Sequence, residues 1–166
     1  MRIALPLLLL LLASSAAYAQ APRIDRIDVG EFGIFTADTT GQVSAPGSVT
    51  GTRNVVTDIR LAETTRTIPA QLGVRFGFRY TVVGAPAGTI VPLQIVAVYP
   101  NPGVIDPATQ QRAAESRWDA AVAIGTMTYS GYKFDNSWEI VPGVWTLQVW
   151  YQGRKLAEQS FTVVKR

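Results

Sequence analysis

The sequence predicts an all-β protein, an Ig-like or fibronectin-like antiparallel β-sandwich of about seven strands with one short connector helix. Three observations carry that prediction. Residues 72–82 alternate Leu72, Val74, Phe76, Phe78, Tyr80 and Val82 against Gly73, Arg75, Gly77, Arg79 and Thr81, the period of two that marks a half-buried strand. Short apolar segments recur along the chain with Gly- and Pro-rich punctuation between them, as in sandwiches and barrels. The chain also closes on Pro142-Gly143-Val144-Trp145, a hairpin and Phe161-Thr162-Val163, an ending that favours the sandwich over a small barrel.

Taken in order, residues 1–19 read as a secretory signal peptide. Basic Arg2 precedes an apolar run from Ile3 to Ala13, and Ala17-Tyr18-Ala19 offers the small-x-small site of a signal peptidase. The run stops at Ser14 and Ser15, short of the roughly 20 apolar residues a membrane span needs. Cleavage after Ala19 leaves 147 of the 166 residues, the size of one domain with its own core, so residues 20–166 are expected to form a single β-sandwich domain. A strand is expected over Ile24–Phe35, with a bulge at Gly30, and another over Val55–Leu61, with Val55, Thr57, Ile59 and Leu61 on one face. Between them, Gly41–Gly51 reads as a loop.

After the strand at 72–82 and the turn at Gly84–Gly88, the stretch Ile90–Tyr99 is apolar on both parities except at Pro92 and Gln94, which predicts an interior strand covered on both faces. Asn101-Pro102-Gly103 is a turn signal, and Asp106 followed by Pro107 predicts the start of a connector helix running toward Glu115. Asp119–Tyr129 reads as one strand. Val144–Tyr151 and Leu156–Val164 read as a hairpin about Gln152–Lys155, with a bulge near Glu158–Ser160 where the apolar parity changes.

Composition narrows the chemistry. There is no histidine and no cysteine, which removes the usual general base, the usual nucleophilic dyads and triads, and the common ligands of zinc, copper and non-haem iron. With Arg2 cleaved, fourteen basic residues face twelve acidic ones, too even a balance for a nucleic-acid footprint. No phosphate-binding glycine loop is present. Asp25, Asp28 and Glu31, or Asp135 and Glu139, supply carboxylates, but no pair is fixed at the spacing that glycoside hydrolysis requires. Ser130-Gly131-Tyr132-Lys133 spells S-x-x-K without its companion motifs and outside a helix. Asp135, Ser137 and Glu139 alternate oxygen ligands, far fewer than the six to eight that calcium takes. No catalytic residue, cofactor or metal is therefore assigned.

Aromatic residues are the better lead. All four tryptophans, Trp118, Trp138, Trp145 and Trp150, lie in the last third with Tyr129, Tyr132 and Tyr151. The parity of Trp145 puts it with Leu147 and Val149 in the core, whereas Trp150 shares a face with Thr146 and Gln148. Trp150, Trp138 and Tyr132 are therefore candidate binding residues, joined by Arg75 and Arg79, which project together from the polar face of their strand.

Phe32-Gly33, Thr67-Ile68-Pro69, Gly73-Val74-Arg75-Phe76-Gly77, Tyr99-Pro100, Pro142-Gly143-Val144-Trp145 and Phe161-Thr162-Val163 resemble the bacterial family catalogued as domain of unknown function 3859, across nearly the whole mature chain. The resemblance implies an exported β-domain and carries no activity and no site residues. The expectation is a non-enzymatic interaction or structural module of the cell envelope, periplasmic or secreted, whose partner is another envelope protein or an envelope glycan. It is expected to bind no nucleic acid and to keep no membrane span after cleavage. A small-ligand or carbohydrate-binding domain that uses exposed aromatics is the alternative, and a hydrolase built on the carboxylates or on Ser130 and Lys133 is the third reading.

Overall fold

The segments that alternate apolar with polar residues become strands, and the computed structural model, which describes residues 21–165, pairs them into two facing sheets. The leader at 1–19 and its cleavage site lie outside the described residues. The strands are β1 (Arg23–Ser44), β2 (Thr52–Glu63), β3 (Thr67–Pro69), β4 (Arg75–Ala85), β5 (Ile90–Val98), β6 (Val104–Ile105), β7 (Arg112–Ala113), β8 (Glu115–Ala123), β9 (Met127–Lys133), β10 (Gly143–Tyr151) and β11 (Arg154–Val164). One sheet runs β2-β1-β4-β9, the other β3-β11-β10-β5-β8, and β6-β7 forms a small ribbon apart. The result is the expected sandwich.

Its core follows from strand parity. Phe76, Phe78, Tyr80 and Val82 of β4 face Val91, Leu93 and Ile95 of β5, Trp145, Leu147 and Val149 of β10, and Phe161 and Val163 of β11, all buried. With no cysteine to staple the sheets, an aromatic cluster occupies the centre. Trp145, 0% exposed, meets Phe76 edge-on at 5.8 Å and Phe134 at 5.4 Å, geometries that add to simple burial. Its indole N–H donates to the Val141 carbonyl at 2.8 Å, so the ring is buried without an orphaned donor.

Several elements depart from the sequence reading. The expected helix over 106–115 is instead the β6-β7 ribbon. Asp106 does cap a turn, its carboxylate accepting from Ala108 N at 2.9 Å and Thr109 Oγ1 at 2.9 Å, but Gln110 takes a left-handed φ of 59° and reverses the chain after that single turn. The strand expected at Asp119–Tyr129 is two strands. Gly125, at φ 84°, lets the chain cross from β8 in one sheet to β9 in the other. β5 is an interior strand beside edge strand β8, yet its first half alternates, with Ile90, Pro92 and Gln94 exposed. In β2, the bulge at Asp58 (φ 54°) re-phases the strand, so Val56, not exposed Val55, shares the covered face with Ile59 and Leu61. The bulge near Gly30 falls where expected, between Val29 and Phe32. In β11 the extra residue is Leu156, between the Val149/Ala157 and Trp150/Lys155 pairs, rather than one of 158–160.

Candidate functional site

The length of β1 creates the site. Its first half pairs with β4 as far as Phe35 opposite Arg75, and its second half pairs with β2 as far as Ser44 opposite Thr52. The β1–β2 hairpin thus runs beyond the sandwich as an arm. Bulges near Ala37 and Thr40 bend it, and its tip docks on edge strand β8 of the other sheet. There Arg117 N donates to the Gly47 carbonyl at 2.8 Å and Val49 N donates to Ser116 Oγ at 2.7 Å. Further back, Asn54 Nδ2 donates to Asp135 Oδ2 at 2.6 Å, and Arg79 Nη2 donates to the Ile59 carbonyl at 2.5 Å.

Beneath the arm lies a cleft of about 360 Å³, bounded by β2 on one side and β9 on the other, with Trp118 and Ala120 of β8 beside it. Both bounding strands are edges of the same sheet, and they are not paired with each other. Tyr129 lies over the cross-strand pair Gly77 and Gly131. A Cβ on Gly131 would run into its hydroxyl, as would one on Gly77. The two glycines therefore let the phenol lie flat against the sheet.

Arg75 is the unusual residue of this cleft. It is 7% exposed, lines the cleft, and its Nη2 has no hydrogen-bond partner among the described residues, where it also takes part in no salt bridge. A guanidinium carries its charge at any physiological pH, and leaving one buried and unpaired is costly. Burial pushes the Tyr129 hydroxyl well above its ordinary value, against the opposing pull of the adjacent Arg75 side chain, so the phenol stays neutral beside the cation and donates to the Phe76 carbonyl at 3.3 Å. Behind the cleft, Ser116 and Tyr99 share a hydrogen bond, and burial pushes the Tyr99 hydroxyl up to about 12. Tyr132 donates to Glu139 Oε2 at 2.7 Å. Glu139, 1% exposed, also accepts from Asn136 N at 2.8 Å and from Asn136 Nδ2 at 2.6 Å. Burial raises its carboxyl above the ordinary value, and those hydrogen bonds oppose the rise.

The residues singled out in the sequence scatter. Arg75 and Tyr132 meet at the cleft. Tyr132, however, is 8% exposed and packs 4.9 Å from the Trp145 ring, so it is a wall and not a free stacking platform. Arg79 does not project into solvent. It pairs with Glu31 at 2.7 Å and lies over Phe35 at 5.9 Å, pinning the arm. Trp138 and Trp150 are half-buried and away from the cleft. Trp138 packs against the core, and Trp150 donates to Gln148 at 2.8 Å.

The acids expected as alternatives are already engaged. Asp25 and Asp28 pair with Arg23 and Arg26, each at 2.7 Å, and Asp135 pairs with Lys133 at 2.6 Å. Ser130 bonds Tyr80 at 3.3 Å and, three residues along a strand, points to the opposite face from Lys133, so S-x-x-K here has no one-turn reach. Among the described residues no group of three acidic side chains is placed to hold a metal ion. Sequence reasoning missed Trp118, Tyr129 and Asn54 as cleft residues. The facing glycines Gly77 and Gly131 were the available signal, since paired glycines in a strand mark close approach by another group.

A family model described as Domain of unknown function (DUF3859) matches residues 24–163. An immunoglobulin-like protein from Pseudomonas aeruginosa is similar at 29% identity and a TM-score of 0.60, the match covering 90% of this chain and 100% of that one. The alkylpurine DNA glycosylase AlkC of Pseudomonas fluorescens, solved bound to DNA containing an abasic site analog, aligns at 16% identity and a TM-score of 0.36. That match covers 60% of this chain and 28% of the other. No curated protein matches.

Proposed function

The chain belongs to the DUF3859 family, and since no activity comes with that membership, we propose from the cleft itself that it is a non-enzymatic binding module of the bacterial cell envelope. The cleft under the β1–β2 arm is its receiving site, and an anionic group is what it receives. The observation that carries this reading is Arg75, which lines the cleft with its guanidinium buried and its Nη2 without a hydrogen-bond partner among the described residues. Folding gains nothing from burying a cation alone, whereas a carboxylate or phosphate reaching Arg75 from the cleft would meet a charge already desolvated. The Ig-like fold and the engagement of the neighbouring acids and hydroxyls with structural partners support binding over turnover. The pattern of the first nineteen residues supports export, with cleavage after Ala19 and a periplasmic or secreted destination.

Two measurements test the two halves. Titrating the purified protein with sodium acetate and with inorganic phosphate, while following arginine side-chain N–H signals by NMR, should shift the Arg75 resonance with saturation and leave that of Arg79 in place. An Arg75 signal indifferent to both anions would sink the anion-binding reading. For the envelope assignment, the mature N-terminus recovered from fractionated cells should begin at Gln20 in the periplasmic or secreted fraction. An uncleaved chain confined to the cytosol would remove it.

A further inference from the structure

Resting on that reading of the cleft, we infer that the group received by Arg75 belongs to an extended peptide of a partner protein, which adds to the free edge of β9 as a further strand between β9 and β2. Three features of the site converge on this occupant.

The first is the edge itself. Among the described residues β9 pairs with β4 alone, so every second backbone N–H and C=O of Met127–Lys133 is directed at the cleft without a partner, the template that strand addition uses. The opposite wall is β2, the other edge of the same sheet, and the arm is fastened beyond the cleft by the tip on β8 and at one end by Asn54 on Asp135. The cleft is therefore bounded on its two sides by the unpaired edge strands of one sheet.

The second is what each face of an added strand would meet. Strand parity sends alternate side chains to opposite faces. One set would lie toward half-buried Trp118 and Ala120 at the open edge of the sandwich, the other toward Arg75 and Tyr129 beneath the arm. The matching ligand alternates apolar residues with polar ones and places a carboxylate on the polar parity. The third feature is where the cation sits. Arg75 stands opposite Lys133 at the end of the β4–β9 ladder, and the Asn54–Asp135 bridge lies just past it. A carboxylate there is either the C-terminus of a peptide that ends at the bridge or an acidic side chain near that end.

The test is to pan the purified protein against a displayed library of ten-residue peptides with free C-termini, then resynthesise enriched sequences as free acids, as amides and with alternate backbone nitrogens methylated. Enriched sequences should alternate apolar and polar residues and carry a carboxylate on the polar parity. Binding should slow amide exchange along Thr128–Lys133. Methylating one set of alternate nitrogens should abolish binding, and methylating the other should spare it. Arg75→Gln should weaken binding about 10- to 100-fold. Arg75→Lys, which keeps the charge but loses the planar fork, should fall between. Amidation that abolishes binding identifies the terminal carboxylate, and amidation without effect identifies an acidic side chain. Either result supports the strand. Peptides that bind without protecting β9, or equally well to Arg75→Gln, overturn it. If acetate still shifts the Arg75 signal while no peptide protects β9, the strand is wrong and the anion-binding cleft stands; if neither probe reaches Arg75, both fail.

Discussion

Arg75 and Arg79 are four residues apart on one face of one strand, and the fold gives them opposite tasks. Arg79 is spent on structure, joined to Glu31 and to the Ile59 carbonyl of the arm, whereas Arg75 is buried with one guanidinium nitrogen that has no partner among the described residues. The sequence put both on the polar side of β4. It could not separate their fates, because the arm that buries one and binds the other arrives from residues 52–63. Arg75→Met should therefore raise the unfolding free energy by about 1–3 kcal/mol, since it removes an unsatisfied buried group, while Arg79→Ala should lower it by about 1–2 kcal/mol. Urea denaturation of both variants checks the pair of signs, and a destabilised Arg75→Met would mean that the guanidinium is structurally partnered after all. Glu139 gives a second prediction, in pH. Its folded value lies above the unfolded one, so its contribution is fully present below the ordinary carboxylate value and is lost as pH rises through the raised one. Glu139→Gln, whose amide oxygen can keep both bonds from Asn136 while its Nε2 donates to the Tyr132 oxygen in place of accepting from it, should lose that dependence. Its stability relative to the native chain should improve from acid toward neutral pH, with the change confined to the window between the two values. A constant difference across that window would contradict the assignment.

At the scale of elements, the strands whose apolar residues alternate without interruption were readable, because burial on one face imposes a period of two. What parity cannot locate is an inserted residue. The bulges at Asp58 and Leu156 each shift every following side chain by one position, and each depends on the partner strand as much as on the bulged one. The connector at 106–115 failed for a related reason. An Asp-Pro start is shared by helices and by single turns, and only Gln110's backbone decides between them. The β10–β11 turn is local and its place was legible, although the sequence spread it over Gln152–Lys155 and the structure confines it to Gln152 and Gly153, with Arg154 and Lys155 already in β11. Gln152 and Gly153 both take positive φ, 48° and 76°, the two-residue turn whose twist suits a hairpin. Gly153→Ala should cost about 1–2 kcal/mol, and Gln152→Asn, a residue better suited to that backbone, should recover a fraction of it. Thermal melts of the single and double variants test this. Equal melting points for the native chain and Gly153→Ala would show that the turn does not hold the conformation described.

For the molecule as a whole, the sandwich was legible in the sequence and the cleft was not. The sandwich is written in strand parity, whereas the cleft exists because one hairpin leaves its own sheet and fastens to the other. That attachment rests on a few contacts at the tip, among them the Gly47 carbonyl on Arg117 N and Val49 N on Ser116. Gly47 presses so closely on the Arg117 backbone that a Cβ would stand within 3.3 Å of its carbonyl carbon and closer still to the oxygen. Gly47→Val should thus unseat the tip without touching the aromatic cluster around Trp145, which lies between the sheets. Hydrogen exchange followed by mass spectrometry should then show faster exchange over Thr52–Ile59 and around Ser116, with the β4, β5 and β10 amides near Trp145 unchanged. Local opening of this kind costs only the contacts at the tip, well below global unfolding. Because the arm forms one wall of the cleft, the same variant should also weaken acetate's effect on Arg75. If exchange instead rose evenly through both sheets, the arm would be part of the cooperative core, and the cleft could not open without unfolding the domain.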